Sequence, residues 1–280
     1  MRDVGRLEGR VAFITGIGRG QGRSHAVRLA AEGAHIAGID CVGNISSVPY
    51  DMATPDDLVE TERLIKETGR QAVLIEGDVR RQSDLDAAVG EALEAFGRLD
   101  MVCANAGVSS FAPFLELSEE QWSDVIDVNL SGVWRTLKAV APAMIEGGRG
   151  GSIVITSSIA AFKGMPTSPH YSASKAGLVG LMHSAANALA PHDIRVNTVH
   201  PTGVATPMVH NPFAFRRACP DIDDPTVEDL RDAFLGGHAL SVPWIESEDV
   251  SNAVAWLLSD ESRFVTGTTL VVDAGALNKR

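Results

Sequence analysis

Short apolar runs alternate with helical stretches along the whole chain. Seven runs read as strands buried on both faces: residues 10–15 (RVAFIT), 35–40 (HIAGID), 72–79 (AVLIEGDV), 99–104 (LDMVCA), 151–156 (GSIVIT), 194–199 (IRVNTV) and 270–273 (LVVD). Between them the pattern turns helical over residues 24–32, from Pro55 onward, over 83–96, from Ser118 towards Ile145, from about Tyr171, and over 248–258. Start signals support several of these. Thr54 is an N-cap followed by Pro55, Asp56 and Asp57, and Ser118 precedes Glu119 and Glu120. Regular strand–helix alternation predicts an α/β fold: a doubly wound parallel sheet of Rossmann type, in one domain spanning residues 1–280. One residue sits badly. Asn129 falls inside the helix expected after Ser118, where an Asn is mildly unfavourable.

Composition narrows the classes of function. A chain of 280 residues, 45% hydrophobic, can bury the core of one large domain. Its net charge of −12 argues against nucleic-acid or anionic-membrane partners, and no basic cluster offsets it. Cys41, Cys103 and Cys219 lie far apart with no metal-ligand spacing, so no metal site is expected. Three such thiols suit a reducing compartment. Residues 1–10 contain no apolar signal region, and no stretch has the length of a membrane span. A soluble cytoplasmic protein is expected.

The chemistry begins at the first strand's exit. Gly16, Gly18, Gly20 and Gly22 in the order TGxxxGxG separate that strand from a helix, with Arg19 and Gln21 between them. Small residues let backbone approach a pyrophosphate that the helix N-terminus faces with free N–H groups. Asp40 ends the second strand, where a carboxylate accepts hydrogen bonds from ribose hydroxyls and repels a 2′-phosphate; this favours NAD over NADP. Arg19 pulls towards a 2′-phosphate, but Asp40 would first have to be displaced, and Arg19 could instead be solvated or pack on adenine. Cys41 adjoins Asp40 and joins the candidate cofactor contacts. Asp78 and Val79 stand where an adenine could rest, and Asn105-Ala106-Gly107 allows close approach to a ribose or pyrophosphate. Residues 41–54 are long for an α/β connection and start beside the ribose-binding acid. They fold over the cofactor or merely decorate the surface.

Tyr171 and Lys175 are four residues apart, one turn along the same helix face. An ammonium near a phenol favours the phenolate, which suits the pair to proton transfer at an alcohol or ketone oxygen. Ser157 and Ser158 end the fifth strand, at the edge where open α/β sheets bind ligands.

Together the glycine loop, Asn105-Ala106-Gly107, Asn129, Ser158, Tyr171 and Lys175 resemble the short-chain dehydrogenase/reductase family over almost the whole chain. The interval from Ser158 to Tyr171, 171 − 158 = 13 positions, matches that family's usual one. The resemblance implies that Tyr171 is the acid/base and that Ser158 binds the substrate oxygen. It also implies that Lys175 lowers the Tyr171 pKa and binds the nicotinamide ribose, and that Asn129 holds a water in a proton relay. Pro201, Val204 and Thr206 would follow as the nicotinamide-contacting segment. A homotetramer is implied too, with the helices from Ser118 and Tyr171 at an interface. A closer likeness, in TGIGRGQGRSHAVRLAAEGA, the loop after Asp40 and ATPDDLVET, is to the mycofactocin-associated, carveol-dehydrogenase-like branch. In that branch the 41–54 insertion is taken to cover a tightly held NAD, recycled in place by a redox partner.

Substrate selection is expected from residues 207–244, which carry Met208, Phe213, Phe215, Phe234, Leu235 and Trp244 as an apolar lid or as a helix pair packed on the core. Phe111, Phe114, Phe162 and Met165 would add pocket wall. With no cation clearly aimed at the site, the expected substrate is a hydrophobic secondary alcohol or its ketone, such as a cyclic terpenoid. Two other readings remain open: an ordinary NAD(P)(H) oxidoreductase with free cofactor, and a non-catalytic dinucleotide sensor. The intact proton-transfer set argues against the second.

Overall fold

A computed structural model describes residues 5–279, so the first four residues of the N-terminal stretch judged free of a signal lie outside it. In chain order the elements are β1 (Val11–Thr15), α1 (Gly20–Ala31), β2 (His35–Asp40), α2 (Pro55–Glu67), β3 (Ala72–Glu76), α3 (Gln82–Phe96) and β4 (Met101–Ala104). Then come α4 (Glu119–Ile126), α5 (Gly132–Gly147), β5 (Gly151–Thr156), α6 (Pro169–Leu189) and β6 (Ile194–Pro201). The chain finishes with α7 (Pro212–Ala218), α8 (Val227–Leu235), α9 (Ser247–Leu258) and β7 (Thr269–Val272). The seven strands form one sheet in the order β3-β2-β1-β4-β5-β6-β7, with every neighbouring pair parallel.

Successive strand residues point to opposite faces, and both faces are covered. Phe13, Val102, Ile153 and Ile155 pack on one side with Leu178 of α6 and Val140 of α5. Ile14, Met101, Cys103 and Val154 pack on the other with Leu257 and Leu258 of α9. Strand order reverses between β1 and β4, and this opens a crevice at their carboxyl ends, where ligands of such sheets bind.

Several boundaries depart from the expected ones. α1 begins at Gly20 rather than Ser24, so two of the loop's four glycines, Gly20 and Gly22, already lie in its first turn. β3 stops at Glu76, because Gly77 is the last residue whose N–H reaches β2, at Asp40. α3 opens at Gln82, one residue before Ser83, whose hydroxyl bonds Asp84 instead of capping the helix. The long helix expected from Ser118 is two helices joined by a π-helical turn, Asp127–Ser131. That turn holds Asn129 and accounts for its awkward place: wide turns inside helices often occur at functional positions.

Candidate active site

The glycine loop fits tightly against its neighbours. Gly16 has φ +69°, and a Cβ there would lie 2.8 Å from the Ala106 Cα; one on Gly22 would lie 1.9 Å from the Gly16 carbonyl oxygen. Only glycine allows this approach of α1 to the sheet. Asn105 reinforces it by donating Nδ2 to the Thr15 carbonyl at 3.2 Å, while its own backbone N–H is held by Thr15 Oγ1 at 3.0 Å. Arg23, which carried no signal in the sequence, braces the loop from below by donating to the Gly18 carbonyl and to Asp57.

The cleft above this loop is lined by Gly16, Arg19, Gly20, Gln21 and Gly22 on one side and by Asp40, Cys41, Asp78 and Val79 on another. Asn105, Ala106, Gly107 and Thr206 close it. Those thirteen expected cofactor contacts therefore meet in one place. Gly18 sits behind them and donates its N–H to Asp40 Oδ2 at 2.6 Å. Burial pushes the Asp40 carboxyl up to about 6, against the pull of that N–H and of Arg19. A half-buried carboxylate with spare acceptor capacity fits the hydroxyl pair of a ribose. Burial would raise Asp78 as well, but the side chain and backbone N–H of Arg80 hold it below the usual carboxylate range. The Arg19 guanidinium bonds the Asp51 carbonyl of the insertion. Pro201 ends β6, and Val204 is buried in the core against Ile245.

The insertion crosses the cleft. Ile45, Tyr50, Met52 and Ala53 form part of its wall. The far side is reached by Ser46 Oγ donating to Glu120 at 2.7 Å and Ser47 Oγ donating to Asp124 at 2.7 Å. Tyr50 is partly buried, and desolvation pushes its phenol well above the ordinary range, with Tyr171 adding to the effect. Both tyrosines of the chain, Tyr50 and Tyr171, are here.

The proton-transfer set gathers next to Gly107. A Cβ on that glycine would have Asn129 Oδ1 and Lys175 Nζ each at 3.4 Å. Lys175 is 3% exposed and donates to the Thr156 carbonyl at 2.9 Å; its Nζ is 5.5 Å from the centre of the Tyr171 ring. Burial lowers its pKa to about 8. Burial raises the Tyr171 hydroxyl above the ordinary value, and a hydrogen bond from Ser158 works against that rise. Asn129 spends its amide on Val108, accepting that residue's N–H at 2.8 Å and donating to its carbonyl at 2.9 Å. It thereby clamps the segment that follows Gly107.

On the substrate side the aromatic residues divide. Met208 lines the cleft. Phe111 stacks on Phe213 of α7 with centroids 5.8 Å apart, and Arg217 lies 3.9 Å above the Phe111 ring. Phe162 stacks on His200. Phe114 is not pocket wall; it is 68% exposed and borders an outward groove with Trp122 and Pro169. Among the described residues, no three His, Cys, Asp or Glu side chains gather as a metal cluster, and no helix is long and apolar enough to cross a membrane.

A family model described as enoyl-(acyl carrier protein) reductase matches residues 16–276. A (−)-trans-carveol dehydrogenase from Rhodococcus erythropolis is 47% identical over 278 residues, 99% of this chain and 100% of its own. The chain belongs to the short-chain dehydrogenase/reductase family. This short-chain dehydrogenase superposes on carveol dehydrogenase from Mycobacterium avium in complex with NAD with a TM-score of 0.97, at 50% identity, covering 98% of this chain and 100% of that one. A short-chain dehydrogenase from Mycobacterium paratuberculosis bound to NAD follows at TM-score 0.90 and 44% identity, with 98% and 100% covered.

Proposed function

We propose that this protein interconverts a hydrophobic secondary alcohol, carveol-like in size and polarity, and its ketone. In this reading Tyr171 is the acid/base, and NAD is held through many turnovers and recycled in place by a mycofactocin-type redox partner. The chain is an NAD-dependent oxidoreductase acting on CH–OH donors. The observation that carries the finer reading is the meeting of two features at one cleft: the proton-transfer set beside Gly107, and an insertion tied across the cofactor cradle by Ser46, Ser47 and Tyr50.

Bound NAD supplies the hydride acceptor for the alcohol carbon and a positive ring charge near the site. Asp40 and the glycine loop would hold its adenosine ribose and pyrophosphate, and Thr206 and Lys175 its nicotinamide end. Ser158 Oγ accepts the Ala160 N–H at 3.1 Å, and its own hydrogen, which otherwise meets Tyr171, would turn to the substrate oxygen and stabilise charge there. Tyr171 takes the hydroxyl proton during oxidation and returns one during reduction. Because burial alone raises the phenol, its activation requires positive charge, from the Lys175 ammonium and from the occupied cofactor site. Lys175 passes the proton on through a water beside Asn129. Phe111, Phe162, Met165, Met208 and Phe213 would dry the pocket around the substrate.

Self-association as a tetramer belongs to the same reading. Trp122 of α4 and Trp134 of α5 are 44% and 50% exposed, and Leu115 is 93% exposed, a large apolar surface for an isolated subunit. The protein would work in the cytoplasm. Oxidation of (−)-trans-carveol compared with a charged 2-hydroxy acid tests the substrate class: preference for the acid would contradict it.

A further inference from the structure

Ser158 depends on a residue outside the proton-transfer set. Its carbonyl oxygen accepts the Ala161 N–H at 3.0 Å, closing the short turn Ile159–Ala161, and also faces His200 Nδ1 at 3.0 Å. His200 is fully buried in β6, and its Nε2 lies 2.8 Å from Thr198 Oγ1. A carbonyl has no proton to give, so Nδ1 carries the hydrogen and Nε2 accepts from the threonine hydroxyl. One neutral tautomer satisfies both ends of the ring. Burial disfavours the imidazolium; the Ser158 carbonyl favours it, and the charge of Lys175 opposes it again. The Phe162 ring lies over the imidazole with centroids 4.7 Å apart and planes at 30°.

These contacts bear on the reaction because the Ser158 hydroxyl can only be as well placed as its backbone. The residue stands in extended conformation between the end of β5 and a turn too short to hold its own position. Beside it, Ser157 is tied by its N–H to the Val199 carbonyl and by its hydroxyl to the Lys175 carbonyl. Together Val199 and His200 of β6 grip both residues of the pair.

We propose that His200 is a positioning residue: by donating Nδ1–H to the Ser158 carbonyl it keeps the Ser158 hydroxyl aimed at the substrate oxygen. This rests on the role given to Ser158 above.

The test is a double-mutant cycle on (−)-trans-carveol oxidation, with NAD affinity measured alongside. His200→Leu removes the donor and keeps apolar bulk; it should lower kcat on the order of tenfold while NAD affinity stays unchanged. His200→Asn, whose amide can still donate to the carbonyl, should recover most of that loss. In a Ser158→Ala background, His200→Leu should change kcat by less than about twofold. Equal losses in both backgrounds would overturn the assignment, as would a His200→Leu enzyme with wild-type kcat. If Ser158→Ala itself fails to slow turnover, the proposed role of Ser158 fails first. If carveol is not oxidised, the substrate reading fails and the same cycle runs on cyclohexanol. A second readout needs neither folding of the variants nor activity. Nitrogen NMR of the wild-type His200 ring should find Nδ1 protonated and Nε2 bare at neutral pH, and the reverse tautomer would contradict the proposal.

Discussion

Tyr50 Oη accepts the backbone N–H of Ser109 at 3.1 Å and so ties the loop after β2 to the segment after β4, across the mouth of the cleft between them. Ser109 follows Val108, which Asn129 clamps, so the strap ends on the segment that also borders the proton-transfer set. Ser47 adds a second tie at Asp124. The neutral Tyr50 bond contributes about 1 kcal/mol, and the part-exposed Ser47 bond to a carboxylate is of similar size once solvent screening weakens it. Tyr50→Phe combined with Ser47→Ala should therefore speed release of bound nucleotide roughly tenfold to thirtyfold. Stopped-flow displacement of NADH fluorescence measures this, and an unchanged off-rate would show that the strap does not retain the cofactor.

Asp40 links cofactor choice to stability. Its folded pKa of about 6 lies above the ordinary 3.8, so the stability it contributes is complete below pH 3.8 and is lost as pH rises through 6. Asp40→Asn keeps an acceptor for the Gly18 N–H without the buried charge. The free variant should be more stable than wild type at pH 8, by on the order of 1–3 kcal/mol, and the difference should shrink to nothing near pH 4. NAD affinity should fall in the same variant. Denaturation midpoints across pH, with and without NAD, separate the two effects.

Lys175 shows the same conflict between function and stability. With a folded pKa of about 8 against 10.5, the unfolded chain binds more protons between those values, so wild-type stability rises over that window. Lys175→Met should raise the Tm of the NAD-free protein at pH 7 and should abolish most turnover. Its advantage should disappear by about pH 10.5.

Tyr171→Phe keeps the ring packing and removes the acid/base. A drop in kcat of roughly 10²–10⁴-fold with NAD still bound is expected. Turnover surviving in that variant would point to another proton acceptor.

The strand pattern made the sheet legible, because strands buried on both faces read as continuous apolar runs, and Thr54 and Ser118 cap their helices as their sequences require. Asn129 was legible as an anomaly, though the π-helical turn that resolves it has no sequence signature. Tyr50, Arg23 and His200 were not legible as site residues. Tyr50 and His200 act through backbone partners distant in sequence, Ser109 and Ser158, and Arg23 through the Gly18 carbonyl and a distant carboxylate. Such pairings exist only once the sheet has formed. The desolvation of Tyr171 was hidden for a related reason: spacing locates the neighbouring Lys175, but it does not show how the fold buries the phenol.

The most direct measurement is made on protein purified without added nucleotide. Denaturation would release and identify any bound cofactor, and native protein would be assayed for (−)-trans-carveol oxidation with free NAD and, separately, with an artificial electron acceptor. Retained NAD approaching one per chain, with turnover through the acceptor alone, is the predicted result. An empty cleft with saturable use of free NAD would contradict in-place recycling and leave an ordinary exchanging dehydrogenase.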